Sequence, residues 1–436
     1  MIAYLGLDVC QDNVVASFLC ADGSEPVNRW EVKNDLPGAT ALAERVAELC
    51  RQFNVDDLRI GIESTGLLWW HLACLLADSS VLESCHPKVY VLNPQRVHAW
   101  RDTMGPRYRS DWYAPFVIAD YIRMGRDLPS PFKIDLTYAP LQRLTRFRFH
   151  LAHTLAREKT YFLTFLFLPF SAFGQAEPFG NTFGTTSLDI LEGYSTEDLV
   201  KADLETLATT LQQKGRGRFQ DPQDLAKTLQ RLARDSYRMN KVLDEPLRLI
   251  QGNTIATIRT LQAQIKTVDT TIARELKAIS QPLSSVPGLG PVWIAGLISE
   301  IGDISRFPND AALASYAGLV WDTNESGDFQ ADETPLSQRG NAYLRYYLVE
   351  GANSVRVHCP EYQDYYQAKY DQTPKHAHKR ALVLTGRKLV RLVFTLLHNG
   401  QLYRPPEERT PRKDATAPHS ARPGRQRHHR RAPAVG

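Results

Sequence analysis

The chain reads as α/β followed by α: a mixed-sheet domain first, then a longer helical part. Three observations predict this. Short apolar runs alternate with helical periodicity as far as about Met124, the order expected when helices cover a sheet. From about residue 140 the apolar positions instead recur at spacings of three and four. Two of the early runs also end in a carboxylate, Asp8 and Glu63, which marks the end of a sheet as the place to look for chemistry.

Taken in order, Ile2–Val9, Val14–Cys20 and Arg29–Val32 read as three successive strands. Pro37 to Phe53 has helical spacing, with Leu42, Val46, Leu49 and Cys50 on one face. Leu58–Glu63 is the fourth strand, Leu67–Leu76 a helix, and Lys88–Leu92 a fifth strand that Asn93-Pro94 ends. Helices follow from Gln95 and from Asp111 to Met124. Three strands, a helix, then strand–helix–strand–helix is the order of an RNase H-like domain, expected over 1–135.

Residues 136–282 should be a helical connection. Ile258, Leu261, Ile265, Val268, Ile272, Leu276 and Ile279 make a stripe of about three heptads. It fits one helix of a bundle and a dimeric coiled coil equally well. Within this region, 167–238 is an aromatic, glycine-containing insert bearing the basic run Lys214-Gly215-Arg216-Gly217-Arg218. That run suits a phosphate backbone or an ordinary solvated loop. Residues 283–403 read as a compact helical domain. The Pro-, Arg- and His-rich segment 404–436 cannot build a core and is expected to be a disordered basic tail.

Composition bounds the function. At 436 residues the chain is long enough for two or three domains, and 43% hydrophobic with 23% charged residues describes an ordinary globular protein. The net charge of +4 misleads, because from Pro405 onward there are 8 Lys/Arg against 3 Asp/Glu. The body is therefore close to neutral, and nucleic-acid affinity there must come from local patches. The six cysteines show no CxxC pairing, so free thiols in a reducing compartment are expected and zinc is not. No secretion signal and no membrane-length apolar run is seen, so the expected location is cytoplasmic.

The carboxylates carry the chemistry. An acid at the end of an apolar strand is poorly solvated unless a cation meets it. Asp8 and Glu63 are two such acids, and Asp111, in Arg109-Ser110-Asp111, is a third at the start of a helix. Hard oxygen ligands suit magnesium, and two ions roughly 4 Å apart stabilise the attacking and leaving oxygens of a phosphoryl transfer. Singly, each acid also fits an ion pair or a helix cap.

Further on, Ser285-Val286-Pro287-Gly288-Leu289-Gly290-Pro291 before an apolar helix resembles a helix–hairpin–helix. There Gly288 and Gly290 would bring backbone N–H groups to a DNA phosphate; the alternative is a plain turn. Ser326 in Glu325-Ser326-Gly327 is a candidate nucleophile, although by spacing alone a Ser-Gly pair reads as a turn. Arg339, Arg345, Lys379 and Arg380 are candidate nucleic-acid contacts in the same part of the chain.

Over nearly its full length the chain resembles the DEDD transposases of the Piv/MooV insertion-sequence type, whose better-studied members are recombinases guided by a bridge RNA. The resemblance rests on Gly6-Leu7-Asp8, Gly61-Ile62-Glu63-Ser64-Thr65-Gly66, Arg109-Ser110-Asp111 with Val117-Ile118-Ala119-Asp120, and Ser285 to Pro291. Tyr316-Ala317-Gly318-Leu319, Glu325-Ser326-Gly327 and Arg339-Gly340-Asn341-Ala342-Tyr343-Leu344-Arg345 complete it. It implies a RuvC-like first domain, a coiled-coil connection and a C-terminal transposase domain. Asp8, Glu63 and Asp111 would hold Mg2+, probably as two ions, and Ser326 would form a transient 5′-phosphoserine bond to DNA. The implied partners are donor and target DNA, a guide RNA, and further copies of the chain in a dimer or tetramer.

One position departs from the family. The second aspartate usual three residues after the first is Ala114 here, followed by Pro115. Asp120 lies nine residues past Asp111, about 180° around a helix, so it does not replace the missing acid. Three readings follow: a transposase, a RuvC-like junction nuclease that uses water instead of Ser326, and a nucleic-acid-binding copy with weakened catalysis.

Overall fold

The computed structural model describes residues 1–125, 128–321, 325–326, 329–330, 336–337, 339–373 and 375–408; of Arg109 and of 325–326 and 329–330 it describes the backbone alone. The chain divides into two compact units, Met1–Leu136 and Thr137–Gly436. The expected basic tail falls almost wholly outside the described residues.

The first unit is built on a five-stranded sheet in the order β3-β2-β1-β4-β5. Its strands are β1 (Ile2–Val9), β2 (Asn13–Cys20), β3 (Trp30–Lys33), β4 (Asp57–Glu63) and β5 (Lys88–Leu92). β1 pairs antiparallel with β2 and parallel with β4, so the sheet is mixed, and its element order is the one the sequence predicts for an RNase H-like domain. On one face Leu5, Leu7, Ile60 and Ile62 pack with helix α1 (Leu36–Gln52) and helix α2 (Trp70–Ala77). Helix α1 starts where Asp35 accepts a hydrogen bond from the Gly38 amide and Pro37 fills the first turn.

Helix α2 begins three residues later than expected. Gly66 takes a φ of +57°, and the Trp69 indole donates to the Gly66 carbonyl at 3.1 Å, so residues 67–69 form a turn first. The other face of the sheet carries α3 (Pro94–Met104) and α4 (Ala114–Met124), with Tyr4, Tyr90, Leu92, Ile118 and Ile122 in the layer between.

The second unit is mostly helical. Helix α5 (Ala139–Leu166) lies against the later helix α10 (Asp244–Leu276). Leu141 and Leu151 share a core with Val268, Ile272 and Leu276, whereas Phe162 and Leu166 share another with Ile255 and Ile258. The pair therefore runs antiparallel, and the heptad stripe of α10 finds its partner within the same chain.

Between them, α6 (Thr185–Gly193), α7 (Thr196–Lys201), α8 (Leu204–Gly215) and α9 (Pro222–Asp235) enclose their own core around Leu188, Leu211 and Leu229. Of the basic run, Lys214 and Gly215 close α8, and Arg216 to Arg218 form the turn after it. Lys214 ends α8 in an ion pair with Asp189. Beyond α10, α11 (Pro291–Ile301), α12 (Asp310–Tyr316), the short strands β6 (Glu325–Ser326) and β7 (Phe329–Gln330), α13 (Ala342–His358), α14 (Pro360–Asp371) and α15 (Ala377–Asn399) follow. Most buried residues of these helices join the core that holds the first half of α5 and the second half of α10, whereas Tyr366, Ala381 and Leu382 form a small cluster of their own.

All six cysteines are free, and Cys50, Cys85 and Cys359 are buried. Among the described residues no helix is long and apolar enough to cross a membrane.

Candidate active site

Two glycines decide where the acids meet. Gly6 and Gly61 are neighbours across β1 and β4. A Cβ on Gly6 would lie 1.9 Å from the Pro115 carbonyl oxygen and 2.5 Å from the Ala119 nitrogen, so α4 rests directly on this spot. A Cβ on Gly61 would meet Ile118 Cγ2 at 2.8 Å. Side chains two apart on a strand share a face, so Asp8 and Glu63 emerge on the side that α4 covers, one pleat further on. Leu7 pairs with Ile62, which makes Asp8 and Glu63 neighbours at the ends of adjacent strands, about 4.8 Å apart in the sheet direction. Asp111 opens a single 3₁₀ turn, Asp111–Tyr113, that runs into α4.

Asp8 senses the other two acids. Burial pushes the Asp8 carboxyl above the usual carboxylate range, and the charges of Glu63 and then Asp111 push it the same way; Arg101 opposes them. Among the described residues Asp8 has no salt-bridge partner, which removes the ion-pair reading for this acid. Glu63 accepts the Thr65 hydroxyl at 3.1 Å. A half-buried carboxylate facing two others is a region of negative potential made of hard oxygens, the donor set that suits a divalent ion such as magnesium. Among the described residues, no three His, Cys, Asp or Glu side chains are yet drawn together as a ready ion cage.

The fourth acid is missing from the structure as well as from the motif. Ala114 is the first residue of α4. Asp120 is occupied elsewhere: it is buried, accepts from Arg123 Nε at 3.0 Å, and accepts from the Trp100 indole at 3.2 Å.

In the second unit the candidate residues meet different fates. Ser326 lies in the two-residue strand β6, its backbone paired with Phe329, and its side chain falls outside the described residues. Gly288, at φ +88°, packs on α13: a Cβ there would lie 2.8 Å from the Ser354 carbonyl oxygen, and the Ser354 hydroxyl donates to the Gly288 carbonyl at 2.6 Å. Gly290 caps α11 and stands open. Arg339 is exposed, as are Lys379 and Arg380 at the start of α15. Arg345 is half-buried and donates to the Ala317 carbonyl at 3.1 Å.

Asn341, quoted above only as part of a motif, caps α13 through Leu344 and donates to Glu300 at 2.7 Å. Glu300 is buried and also takes two hydrogen bonds from Arg146, at 2.7 and 2.9 Å. The Arg-Gly-Asn motif thus anchors a helix to a buried ion pair.

Two stretches of the chain match known families. Residues 5–170 match a DEDD-type transposase family of the IS110 kind, and residues 280–367 match the Transposase IS116/IS110/IS902 family. The chain belongs to the IS110/IS116 family of DEDD transposases. It is 31% identical over 146 residues to an uncharacterized protein of insertion element IS110 from Streptomyces coelicolor, covering 33% of this chain and 34% of that one. It is 28% identical to a probable family 20 transposase of Pseudomonas aeruginosa, over 34% of this chain and 46% of the relative. Identity is also 28% to the transposase of insertion sequence element IS1111A from Coxiella burnetii, over 30% and 37%. The alignments thus span from about a third to less than half of these relatives. Among solved structures, RuvC of T. thermophilus with a Holliday junction substrate aligns at 15% identity and TM-score 0.23, over 30% of this chain and all of that one.

Proposed function

We propose that this chain is the transposase of an IS110/IS116-type insertion element, cutting and rejoining DNA in the cytoplasm. The observation that carries the reading is the Asp8 carboxyl at the end of β1 beside Glu63 at the end of β4, pushed toward its neutral form by burial and then by the charges of Glu63 and Asp111. A cluster of that kind costs stability unless cations are to be held there. When bound, Mg2+ would polarise the scissile phosphate and favour the attacking and departing oxygens, as in two-ion phosphoryl transfer.

The chain's own residues do the rest. Asp8 and Glu63 supply rigid, strand-borne oxygens, and Asp111 supplies one whose position follows α4. Ser326 is assigned the nucleophile's role on the family resemblance. Its hydroxyl oxygen would bond to phosphorus, the strand's 3′-oxygen would leave with a proton, and the phosphoserine would keep the bond energy for rejoining. Arg339, Lys379 and Arg380, all exposed, are assigned to phosphate contact, and so are Arg345 and the Gly290 helix end. A guide RNA and assembly of two or four copies belong to the same reading.

Strand cleavage of donor DNA in Mg2+ tests it. Asp8→Asn and Glu63→Gln should each lower cleavage at least a thousandfold, and Ser326→Ala should abolish joined product. Full cleavage by Ser326→Ala would favour a junction nuclease with water as nucleophile.

A second reading, a binding protein of weakened catalysis, is favoured by Ala114. Binding without cleavage in Mg2+ or Mn2+ would support it.

A further inference from the structure

We infer that Arg29 is a positioning residue that fixes the turn bearing Asp111, an inference that rests on Asp111 being a cation ligand. Arg29 lies just before β3, 82 residues from Asp111 in sequence, yet only 9% of its side chain is exposed. Its guanidinium donates from Nη1 to the carbonyl of Trp112, the residue after Asp111, at 3.0 Å. One face of the same group lies 4.2 Å from the centre of the Tyr113 ring and 5.4 Å from that of Phe116. Arg29 thus grips both the backbone and the following side chains of the turn.

The grip is itself held. Glu25 takes two hydrogen bonds from Arg29, at 2.8 and 3.0 Å, and one from the Ser17 hydroxyl at 2.6 Å. Ser17 is fully buried on β2, directly opposite Gly6. A chain of polar contacts therefore runs from the strand beside Asp8, through Glu25 and Arg29, to the turn of Asp111. The planar fork of arginine makes all three hydrogen bonds while stacking, which a lysine ammonium cannot.

The turn needs outside support. Neither the 3₁₀ turn nor α4 has a side-chain cap at its N-terminus, so local sequence leaves Asp111 loosely placed. Where Ala114 stands in place of a fourth acid, each remaining oxygen has more to do. Contacts that orient a ligand from behind typically change metal affinity by about 10- to 100-fold when lost.

Manganese binding to the full chain, titrated by electron paramagnetic resonance, tests this. Arg29→Lys should bind Mn2+ about tenfold more weakly, with cleavage recovering at saturating Mn2+ and melting in chelator unchanged within about 3 °C. Ser17→Ala, which removes only the support behind Glu25, should shift binding in the same direction by a smaller factor. It also keeps the test open if Arg29→Lys fails to fold. Wild-type Mn2+ affinity in the folded variants would overturn the role of Arg29. Asp111→Asn binding Mn2+ as tightly as wild type would instead overturn Asp111 as a ligand, which is the underlying reading.

Discussion

Gly6→Ala should dislodge Asp111 without touching any acid. The added methyl would sit 1.9 Å from the Pro115 carbonyl oxygen and 2.5 Å from the Ala119 nitrogen, both backbone atoms of the same helix. No rotamer change relieves such a clash, so the start of α4 must rise from the sheet by roughly 1 Å or more, at a cost of about 2 kcal/mol. The turn of Asp111 leads directly into that helix and has to follow. Gly61→Ala is the matched control, because its methyl meets side-chain atoms alone, Ile118 Cγ2 at 2.8 Å and Ile122 Cγ2 at 3.2 Å, which can turn aside. Its cost should be about 1 kcal/mol.

Hydrogen exchange on the full chain reads both effects. Amides of α4 should exchange about 30-fold faster in Gly6→Ala and no more than about fivefold faster in Gly61→Ala, at 1.4 kcal/mol per factor of ten. Mn2+ binding should weaken in the first variant and hold in the second. Native protection in Gly6→Ala, or a larger effect from Gly61→Ala, would refute the argument that α4 sets the site.

The Asp8 charge makes a further prediction about pH. Because its carboxyl titrates above the usual range in the fold, the native state binds the proton more readily than the unfolded chain. Asp8 therefore weakens the ion-free protein once pH rises through its folded value, and the loss is relieved as pH falls back below it. Asp8→Asn should raise the melting temperature in chelator near neutral pH by about 2–4 °C, and the rise that Mn2+ gives the wild type should disappear; a lower melting temperature would contradict the repulsion. Ala114→Asp places an acid at the first position of α4, three residues after Asp111, where a helix N-terminus also favours negative charge. It should tighten Mn2+ binding about tenfold and raise cleavage in Mg2+; unchanged binding in a folded variant would show that this position does not face the ions.

Much of the first unit was legible in the sequence, because its signals are local. All five strands and the acids that end two of them follow from alternation and from the turns between. What was not legible is what brings the acids together. Gly6 and Gly61 matter for the helix that lies on them, and no local pattern announces a partner more than 50 residues away. Arg29 gave no signal for the same reason: Trp112 and Tyr113 are its neighbours only after folding. The stripe on α10 was visible, but its partner was not, since α5 and α10 are separated by the four helices of the insert. Gly288 shows the opposite failure. A glycine in a PGxGP turn suggests a phosphate contact, yet here its lack of a side chain admits the backbone of α13.

Mapping the covalent protein–DNA bond tests the central claim most directly. The full chain is incubated with donor DNA and Mg2+, denatured, digested, and read by tandem mass spectrometry. The account predicts a nucleotide-bearing peptide with the phosphate on Ser326, absent when Asp8 is replaced by Asn. Cleaved DNA with no protein attached, or attachment at another side chain, would contradict it.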